Sequence, residues 1–252
     1  MSCPIIALWA HPRSMSTATE RIMHERGDCK VFHEPFLAYH YLHQRADNMP
    51  MLDTELAKPR DYPEIRQQLL DAGERLPVFF KDMSYFVIDA LLQDETFCKR
   101  LCNVFLIRDP RRSIASYYKL DSTVSLTEIG LDAQWRHYQY LLETGLTPLV
   151  LQAEAIAQNP RLEIGKMWRY ASLKPLDHAF NWNADAAPAD WEYVRGWHAD
   201  VIGSSGIRTD ERDADELFEQ AAGNAPHLRE YLDHHLPFYE KLREVAMEHS
   251  RR

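Results

Sequence analysis

Five short apolar runs, each followed by a longer helical pattern, limit the folds open to this chain of 252 residues. The runs are only a few residues long and rich in Val, Ile, Leu and Phe, so they predict buried strands. Strands that alternate with helices are typical of a parallel sheet with crossover helices. The predicted strands are Ile5–Ala10, Val31–Phe32, Val78–Lys81, Asn103–Ile107 and Leu149–Gln152. The prediction is an α/β fold of three layers, with a mainly parallel central sheet and helices on both faces.

The segments between the runs predict the helices, and the C-terminal part is predicted to be helical. Asn159-Pro160 suits the start of a helix, because Asn can cap it and Pro fits the first turn. Pro237 is expected to divide the stretch from Pro226 to His249 into two helices. The other predicted helices are approximately Ser16–Arg26, Tyr62–Ala72, Asp89–Arg100, Arg111–Lys119 and Leu126–Glu143. With no linker near the middle of the chain, residues 1–252 are predicted to form one domain.

Composition excludes several classes of partner. The formal net charge is −9, so nucleic acids and anionic membranes would repel the chain, and neither is expected as a partner. The four cysteines do not form a disulfide framework or a zinc-ligand cluster, and no metal is expected. The N-terminus lacks a positively charged leader, and no apolar run reaches the roughly 18 residues of a membrane helix. The expected location is therefore the cytoplasm.

The most informative motif is the loop Pro12-Arg13-Ser14-Met15-Ser16-Thr17, which joins the first strand to the first helix. Backbone N–H groups at a helix N-terminus converge on one point, and the helix dipole favours an anion there. Ser14, Ser16 and Thr17 add hydroxyl groups, and Arg13 adds a planar cation. The alternative is that Ser16 and Thr17 merely cap the helix. The glycines and the Lys of a Walker A motif are absent, which disfavours hydrolysis of ATP or GTP.

A second basic cluster follows the fourth predicted strand. Arg108 stands at the carboxyl end of that strand, where open α/β sheets bind their ligands. Ser116 lies about two turns into the following helix and is expected to face the same edge of the sheet. Together they predict a site for a second phosphate several ångströms from the first loop. Arg111 and Arg112 suit a solvated helix surface instead.

This pair of motifs resembles the sulfotransferase family that depends on 3′-phosphoadenosine 5′-phosphosulfate (PAPS). The resemblance implies a P-loop-like α/β fold, in which the first loop holds the 5′-phosphosulfate of PAPS. It also implies that Arg108 and Ser116, eight residues apart, hold the 3′-phosphate, and that Val201–Ile207 closes over the nucleotide. The residues implied for binding PAPS, and its product PAP, are Arg13, Ser14, Met15, Ser16, Thr17, Arg108, Ser116, Ser204, Ser205 and Gly206.

The chain departs from the well-known cytosolic members of that family at two points. They carry Lys-Ser-Gly in the first loop, where this chain has Arg13-Ser14-Met15. They also place a catalytic His just after the third strand, where this chain reads Phe79-Phe80-Lys81-Asp82-Met83-Ser84. The departures put the usual base in doubt, so another residue must accept the proton.

Glu34 is the predicted base, because it follows the second strand and opens onto the same edge of the sheet. A Glu in a similar Glu-Pro setting is the proposed base of several bacterial and Golgi-type sulfotransferases. The alternatives are that Glu34 only pairs with an Arg, or that His33 is the base. Adjacent strand residues face opposite ways, so one of the two is expected to reach the site. Arg13 and Lys81 are the predicted cations at the transferring group.

The sequence thus predicts a sulfotransferase that moves a sulfuryl group from PAPS to a hydroxyl or amine of a small-molecule acceptor, without a metal. Two alternatives stay open, namely an ATP-dependent small-molecule kinase on a related fold and a non-catalytic nucleotide-binding protein. A homodimer is a further open alternative. The acceptor pocket is expected from Phe36–Gln44, Ala46–Arg60 and Asp121–Gly130, and one of Trp191, Tyr193 and Trp197 is a candidate to stack on adenine.

Overall fold

A five-stranded parallel sheet forms the centre of the computed structural model, which describes residues 3–44, 49–58 and 60–251. The strand order is β2-β3-β1-β4-β5, so β1 lies between β3 and β4. The strands are β1 Ile5–Ala10, β2 Lys30–His33, β3 Val78–Met83, β4 Cys102–Ile107 and β5 Leu149–Gln152. The predicted parallel sheet is confirmed, and every predicted strand is present.

Helices connect the strands and account for the C-terminal part. Two short 3₁₀ segments, Asp177–Phe180 and Ala189–His198, and a π-helical turn, Tyr39–His43, add to them. The α-helices are α1 Ser16–Arg26, α2 Tyr62–Gly73, α3 Ser84–Leu91, α4 Glu95–Arg100, α5 Pro110–Leu120, α6 Leu126–Ile129, α7 Leu131–Glu143, α8 Ala153–Gln158, α9 Pro160–Tyr170, α10 Ala199–Ile202, α11 Ala214–Asn224 and α12 Leu228–Arg251. No helix in the described ranges is both long enough and apolar enough to cross a membrane.

The sheet is buried on both faces, which explains the continuous apolar runs. Side chains alternate along β1, so Ile5, Ala7 and Trp9 pack into one core while Ile6 and Leu8 pack into the other. The first core is covered by α2, α3, α5, α7, α11 and α12, and the second by α1, α8 and α9. The three-layer prediction is confirmed.

Two of the predicted helices are divided in the structure, each for a local reason. The stretch predicted as Asp89–Arg100 breaks before α4, where the Asp94 side chain accepts the amide of Phe97 at 3.0 Å and starts a new helix. The stretch predicted as Leu126–Glu143 divides at Gly130, whose φ of 76° is left-handed.

Pro237 was expected to separate two helices, but α12 continues through it. The buried residues Tyr239, Leu242 and Ala246 extend the core-facing side of α12 beyond the proline. Packing against β5, α5 and α7 therefore outweighs the hydrogen bond that Pro237 cannot donate.

Candidate functional site

The carboxyl edge of the sheet opens onto a pocket of about 890 Å³, within the size range of small-molecule sites. Because β1 and β4 are paired neighbours, with Trp9 opposite Phe105, the segments that follow them lie side by side. Both predicted motifs line this pocket, through Arg13, Met15, Ser16, Thr17, Arg108 and Ser116.

The first loop has an unusual backbone. Arg13 and Met15 have φ values of 61° and 69°, in the left-handed region that non-glycine residues adopt at a cost of about 1–2 kcal/mol each. Met15 is the residue before α1 and makes no side-chain cap bond, so Ser16 and Thr17 are not the caps of this helix. The backbone N–H groups in the first turn of α1 are therefore not occupied by a capping side chain. An anion-binding loop requires such unoccupied N–H groups. Ser14 is buried and lies outside the pocket lining.

Arg13 and Arg108 join the two motifs directly. The Arg108 guanidinium donates to the carbonyl of Arg13 at 2.8 Å, and Arg13 Nε donates to Ser116 Oγ at 3.0 Å. The backbone amide of Arg108 donates to Nε2 of His11 at 3.0 Å, which clamps the end of β4 to the end of β1. His11 is fully buried and lies outside the pocket lining.

Both guanidinium groups are largely withdrawn from water. Burial lowers the pKa of Arg13 and of Arg108, although an arginine stays cationic at neutral pH. Arg13 also donates to the carbonyl of Trp197 at 3.0 Å and to Asp200 at 3.2 Å, and the Asp200 side chain is 88% exposed. These contacts tie the first loop to the segment that leads into α10.

The neighbouring arginines differ from expectation. Arg112 suits a solvated surface by its sequence position, but it lines the pocket and its side chain is only 16% exposed. It donates to the carbonyl of Arg212 at 2.6 Å. Arg111 lies outside the lining and is paired with Asp109 and Asp215. Besides the predicted Arg13, Lys81 and Arg108, the pocket lining therefore includes Arg112, together with Lys119, Arg208 and Arg212.

Glu34 and Lys81 form a buried ion pair in the pocket lining. Lys81 lies in β3, and Glu34 follows β2, the neighbouring strand. Glu34 has a φ of 38°, so the chain has already left the extended conformation at this residue. Only one of the two, Glu34, reaches the pocket, as expected. The reason is the turn at Glu34 and not strand alternation, since His33 Nε2 lies only 3.9 Å from Glu34 Oε2. His33 itself is buried outside the lining.

A buried carboxylate behind this pair was missed by sequence reasoning. Glu20 on α1 accepts Nδ1–H of His33 at 2.8 Å and the indole N–H of Trp191 at 2.7 Å. Burial alone would raise the pKa of Glu20, but electrostatic interaction with His33 and hydrogen bonds from His24 and His33 hold the pKa well below its usual range. Helix periodicity contained a signal, because Glu20 shares the buried face of α1 with Ser16.

His198, at the end of the second 3₁₀ segment, completes this network and was also missed. Its Nε2 lies 3.0 Å from Nε2 of His33, and its Nδ1 lies 3.4 Å from the hydroxyl of Thr17. Burial, followed by electrostatic interaction with His33 and Lys81, lowers the pKa of His198 well below its usual range. His198 lines the pocket and links Glu20 to the first loop.

Asp82 supports the turn that carries Glu34. Its carboxyl oxygens accept the amides of Phe36 and Met83, at 2.7 and 2.9 Å. Burial, and then the charge of Glu34, raises the pKa of Asp82 well above its usual range. Asp82 therefore holds the backbone of this turn in place through two hydrogen bonds.

The predicted closing segment reaches the pocket only in part. Ser204 and Gly206 line it, and the Ser204 hydroxyl donates to the carbonyl of Val201 at 2.8 Å. Ser205 is exposed and lies outside the lining. Of the three candidate stacking aromatics, Trp197 lines the pocket, while Trp191 and Tyr193 bond to Glu20 and to the carbonyl of His33.

Aromatic side chains form the other wall of the pocket. These are Tyr41, Tyr85, Phe86, Tyr117 and Tyr118. The expected contribution of Asp121–Gly130 to the lining is wrong, since its Glu128 lies behind the wall and accepts the hydroxyls of Tyr41 and Tyr117 at 3.1 and 3.3 Å. Met49 lines the pocket from the expected Ala46–Arg60 segment, of which residues 46–48 and 59 lie outside the described residues.

The parallel sheet and the loops at its carboxyl edge define an α/β protein of the P-loop-like class. The family model described as "Sulfotransferase domain" matches residues 4–245, so the chain belongs to the sulfotransferase family. A curated relative, "Branched-chain-amino-acid aminotransferase-like protein 1" of Arabidopsis thaliana, is 23% identical over 210 residues, which is 82% of this chain. The match covers 37% of that relative, so this chain spans little more than a third of its length.

Two solved structures share the fold. A sulfotransferase from Alicyclobacillus acidocaldarius aligns with a TM-score of 0.51 and 16% identity, covering 86% of this chain and 99% of the other. The sulfotransferase domain from the curacin biosynthetic pathway aligns with a TM-score of 0.50 and 11% identity, covering 89% and 97%. The fold expected from the sequence resemblance is confirmed.

Proposed function

We propose that this protein transfers a sulfuryl group from PAPS to a hydroxyl or amine of a small-molecule acceptor. The observation that carries the proposal is the convergence, in one pocket, of the Arg13–Arg108–Ser116 contacts with the Glu34–Lys81 ion pair. The first group suits the two phosphates of the donor. The second suits removal of a proton from the acceptor.

In this proposal the cations hold the transferring group. Arg13 and the first-turn amides neutralise the 5′-phosphate as it leaves, while Arg108 and Ser116 hold the 3′-phosphate. Lys81 stabilises the charge on the sulfuryl oxygens, because its ammonium is already placed at the pocket wall. The acceptor oxygen forms a bond to sulfur as the bond between sulfur and the phosphate oxygen breaks, in line.

Glu34 takes the proton of the acceptor as that bond forms. The ion pair with Lys81 keeps the Glu34 carboxylate positioned until the acceptor hydroxyl replaces part of this contact. The aromatic wall around Tyr41, Tyr85 and Tyr117 suits an acceptor with an apolar or aromatic body and a hydroxyl group. We therefore expect phenols and small alcohols as acceptors, and we place the reaction in the cytoplasm.

Thermal unfolding with and without PAP tests the donor assignment. A ligand that binds only the folded state at about 100 times its Kd stabilises the protein by about 2.7 kcal/mol. For a chain of this size that is a rise in Tm of roughly 5–10 °C. PAP should give such a rise, whereas ATP with magnesium should give little.

A larger rise in Tm with ATP and magnesium than with PAP would support the kinase alternative and overturn the proposal. Binding of PAP without transfer from PAPS to any of a panel of phenols, alcohols and amines would support the non-catalytic alternative. AMP, which lacks the 3′-phosphate, is the matched control ligand and should stabilise the protein less than PAP.

A further inference from the structure

The contact between His33 and His198 constrains where their protons lie. Two ring nitrogens 3.0 Å apart form a hydrogen bond only if one of them carries the proton and the other offers its lone pair. The other nitrogen of His33 already donates to the Glu20 carboxylate. The other nitrogen of His198 faces the hydroxyl of Thr17. We call His33 and His198 the histidine pair.

Two arrangements satisfy every hydrogen bond of the histidine pair. In the first, both rings are neutral, His198 donates through Nε2 to His33, and the Thr17 hydroxyl donates to Nδ1 of His198. In the second, His33 donates through Nε2 to His198, and Nδ1–H of His198 donates to the Thr17 oxygen. The second arrangement holds one more proton, because His33 is then doubly protonated.

The two arrangements present different groups to the pocket. In the first, the hydrogen of the Thr17 hydroxyl is used by His198, so only lone pairs of that oxygen face a ligand. In the second, the hydrogen is free to donate to an anion in the first loop. An anionic oxygen repels the lone pairs of the first arrangement and accepts the hydrogen of the second.

We propose that binding of a phosphate or phosphosulfate group at Thr17 is coupled to the uptake of one proton from solvent by the histidine pair. On binding, the proton between the rings moves from His198 to His33, and Nδ1 of His198 gains the new proton. His33 and His198 are thus positioning residues for the first loop, and Glu20 fixes the orientation of His33 through its hydrogen bond. The inference rests on the proposed function only in taking a phosphorylated ligand as the occupant of that loop.

The buried charges around the pair accommodate the added proton. Glu20 is negative, and the Glu34–Lys81 ion pair is internally balanced, so the inner cluster lacks one positive charge when both rings are neutral. Tyr193 adds no charge, since burial raises its pKa, and burial together with the charge of Glu34 raises the pKa of Asp82, which disfavours its charged form. The other ionisable groups around the pair are His24 and Asp190 beside Glu20 and Arg13 beside Thr17.

The direction of the pH dependence follows from this coupling. Both rings are buried, and burial disfavours an added charge, which favours the neutral pair in the free protein. A bound anion stabilises the protonated pair, so the pKa of the pair is higher in the complex than in the free protein. Affinity is therefore greatest below the pKa of the free pair and falls as pH rises through the pKa of the complex, by at most about tenfold per pH unit.

Calorimetry of PAP binding in two buffers of different ionisation enthalpy measures the proton uptake directly. At pH 7 we expect wild-type protein to take up a substantial fraction of one proton. Thr17→Val removes the hydroxyl that responds to the pair, and its uptake should fall towards zero while PAP still binds. Thr17→Ser keeps the hydroxyl and should keep the uptake.

Two further variants test whether the proton uptake belongs to the histidine pair or to a neighbouring histidine. His24→Gln changes another histidine that touches Glu20 but not the pocket, so its proton uptake should match wild type. His198→Asn should abolish the uptake, and the Thr17 variants keep the test decisive if this buried change impairs folding. Because PAP has titrating phosphates of its own, the quantity compared is the difference between variant and wild type.

The outcomes are distinguishable from failure of the proposed function. If PAP does not bind at all, the donor assignment fails. If PAP binds wild-type protein with the same proton uptake as the Thr17→Val variant, the donor assignment stands and the coupling is wrong.

Discussion

The two ends of the pocket handle charge in opposite ways. At the inner end, Glu34, Lys81 and Glu20 are buried and already satisfied by protein partners of opposite charge or by hydrogen bonds. At the outer end, Arg13 and Arg108 bond mainly to neutral groups, the Ser116 hydroxyl and the carbonyls of Arg13 and Trp197. Each inner-end charge is therefore already bonded within the protein, whereas, among the described contacts, the guanidinium groups of Arg13 and Arg108 share a single bonded carboxylate, that of Asp200.

This difference assigns different tasks to the two ends. A cation that is bonded to a carbonyl keeps its full charge for a ligand, and in a pocket shielded from water that charge acts strongly. A preformed ion pair binds no external anion tightly but places a base and a cation at fixed positions. The comparison predicts that changes at the inner end affect transfer, while changes at the outer end affect binding.

The largest expected effect is that of Glu34→Gln at the inner end. Loss of the base should lower the rate of transfer from PAPS to a phenolic acceptor by about 100- to 10,000-fold. Affinity for PAP, measured by calorimetry, should stay within a few-fold of wild type, because Gln keeps the shape of the side chain. The matched control is Glu25→Gln, which removes a carboxylate on α1 that pairs with Arg21 outside the pocket lining. Unchanged transfer in the Glu34 variant would show that another residue is the base.

Next in size is Arg108→Ala at the outer end. Removing a charge-assisted contact to phosphate should weaken PAP binding by about 2 kcal/mol or more, roughly 30-fold. Arg111→Ala is the control, because Arg111 is three residues away but paired with Asp109 and Asp215 outside the lining. If calorimetry gives both variants the same affinity for PAP, the binding role proposed for the outer end is wrong.

Asp200→Asn should have the smallest effect, and in the opposite direction. Asp200 is the one anionic group that hydrogen-bonds to the Arg13 guanidinium among the described contacts, and its side chain is mostly exposed. Exposed ion pairs contribute about 0–1 kcal/mol, so freeing Arg13 should tighten PAP binding by up to about fivefold. Weaker binding of PAP to this variant would mean that Asp200 positions Arg13 for the ligand instead of competing with it.

The strands were predictable because a buried parallel strand is apolar along its whole length. β1 and β5 match their predicted bounds, and the other three differ by one or two residues at their ends. The cap and first turn at Asn159 and Pro160 were also predicted, since they depend on local chemistry alone. Breaks at Asp94 and Gly130 were missed because the apolar pattern continues across them.

The candidate site was predictable where residues follow strand ends and not where they come from elsewhere. Arg13, Arg108, Glu34 and Lys81 lie at or near the carboxyl edge of the sheet, where parallel topology must bring them together. His198 comes from a 3₁₀ segment far along the chain, and only tertiary packing places it beside Thr17. The strand order of the sheet, which sets these neighbours, was likewise beyond local sequence patterns.

The buried imidazole of His11 bonds the end of β1 to the end of β4, and so fixes the position of the first loop relative to Arg108. Burial, and then the nearby charge of Arg108, lowers the pKa of His11 to about 3, so the ring keeps its lone pair for the Arg108 amide throughout the neutral range. In the unfolded chain this histidine has its ordinary pKa of about 6.5, so below that pH the unfolded chain binds a proton that the folded protein does not. The free energy of unfolding contributed by the neutral ring is therefore complete above about pH 6.5 and decreases as the pH falls. The hydrogen bond between His11 and Arg108 therefore persists across the physiological pH range. At low pH, protonation of His11 destabilises the folded protein.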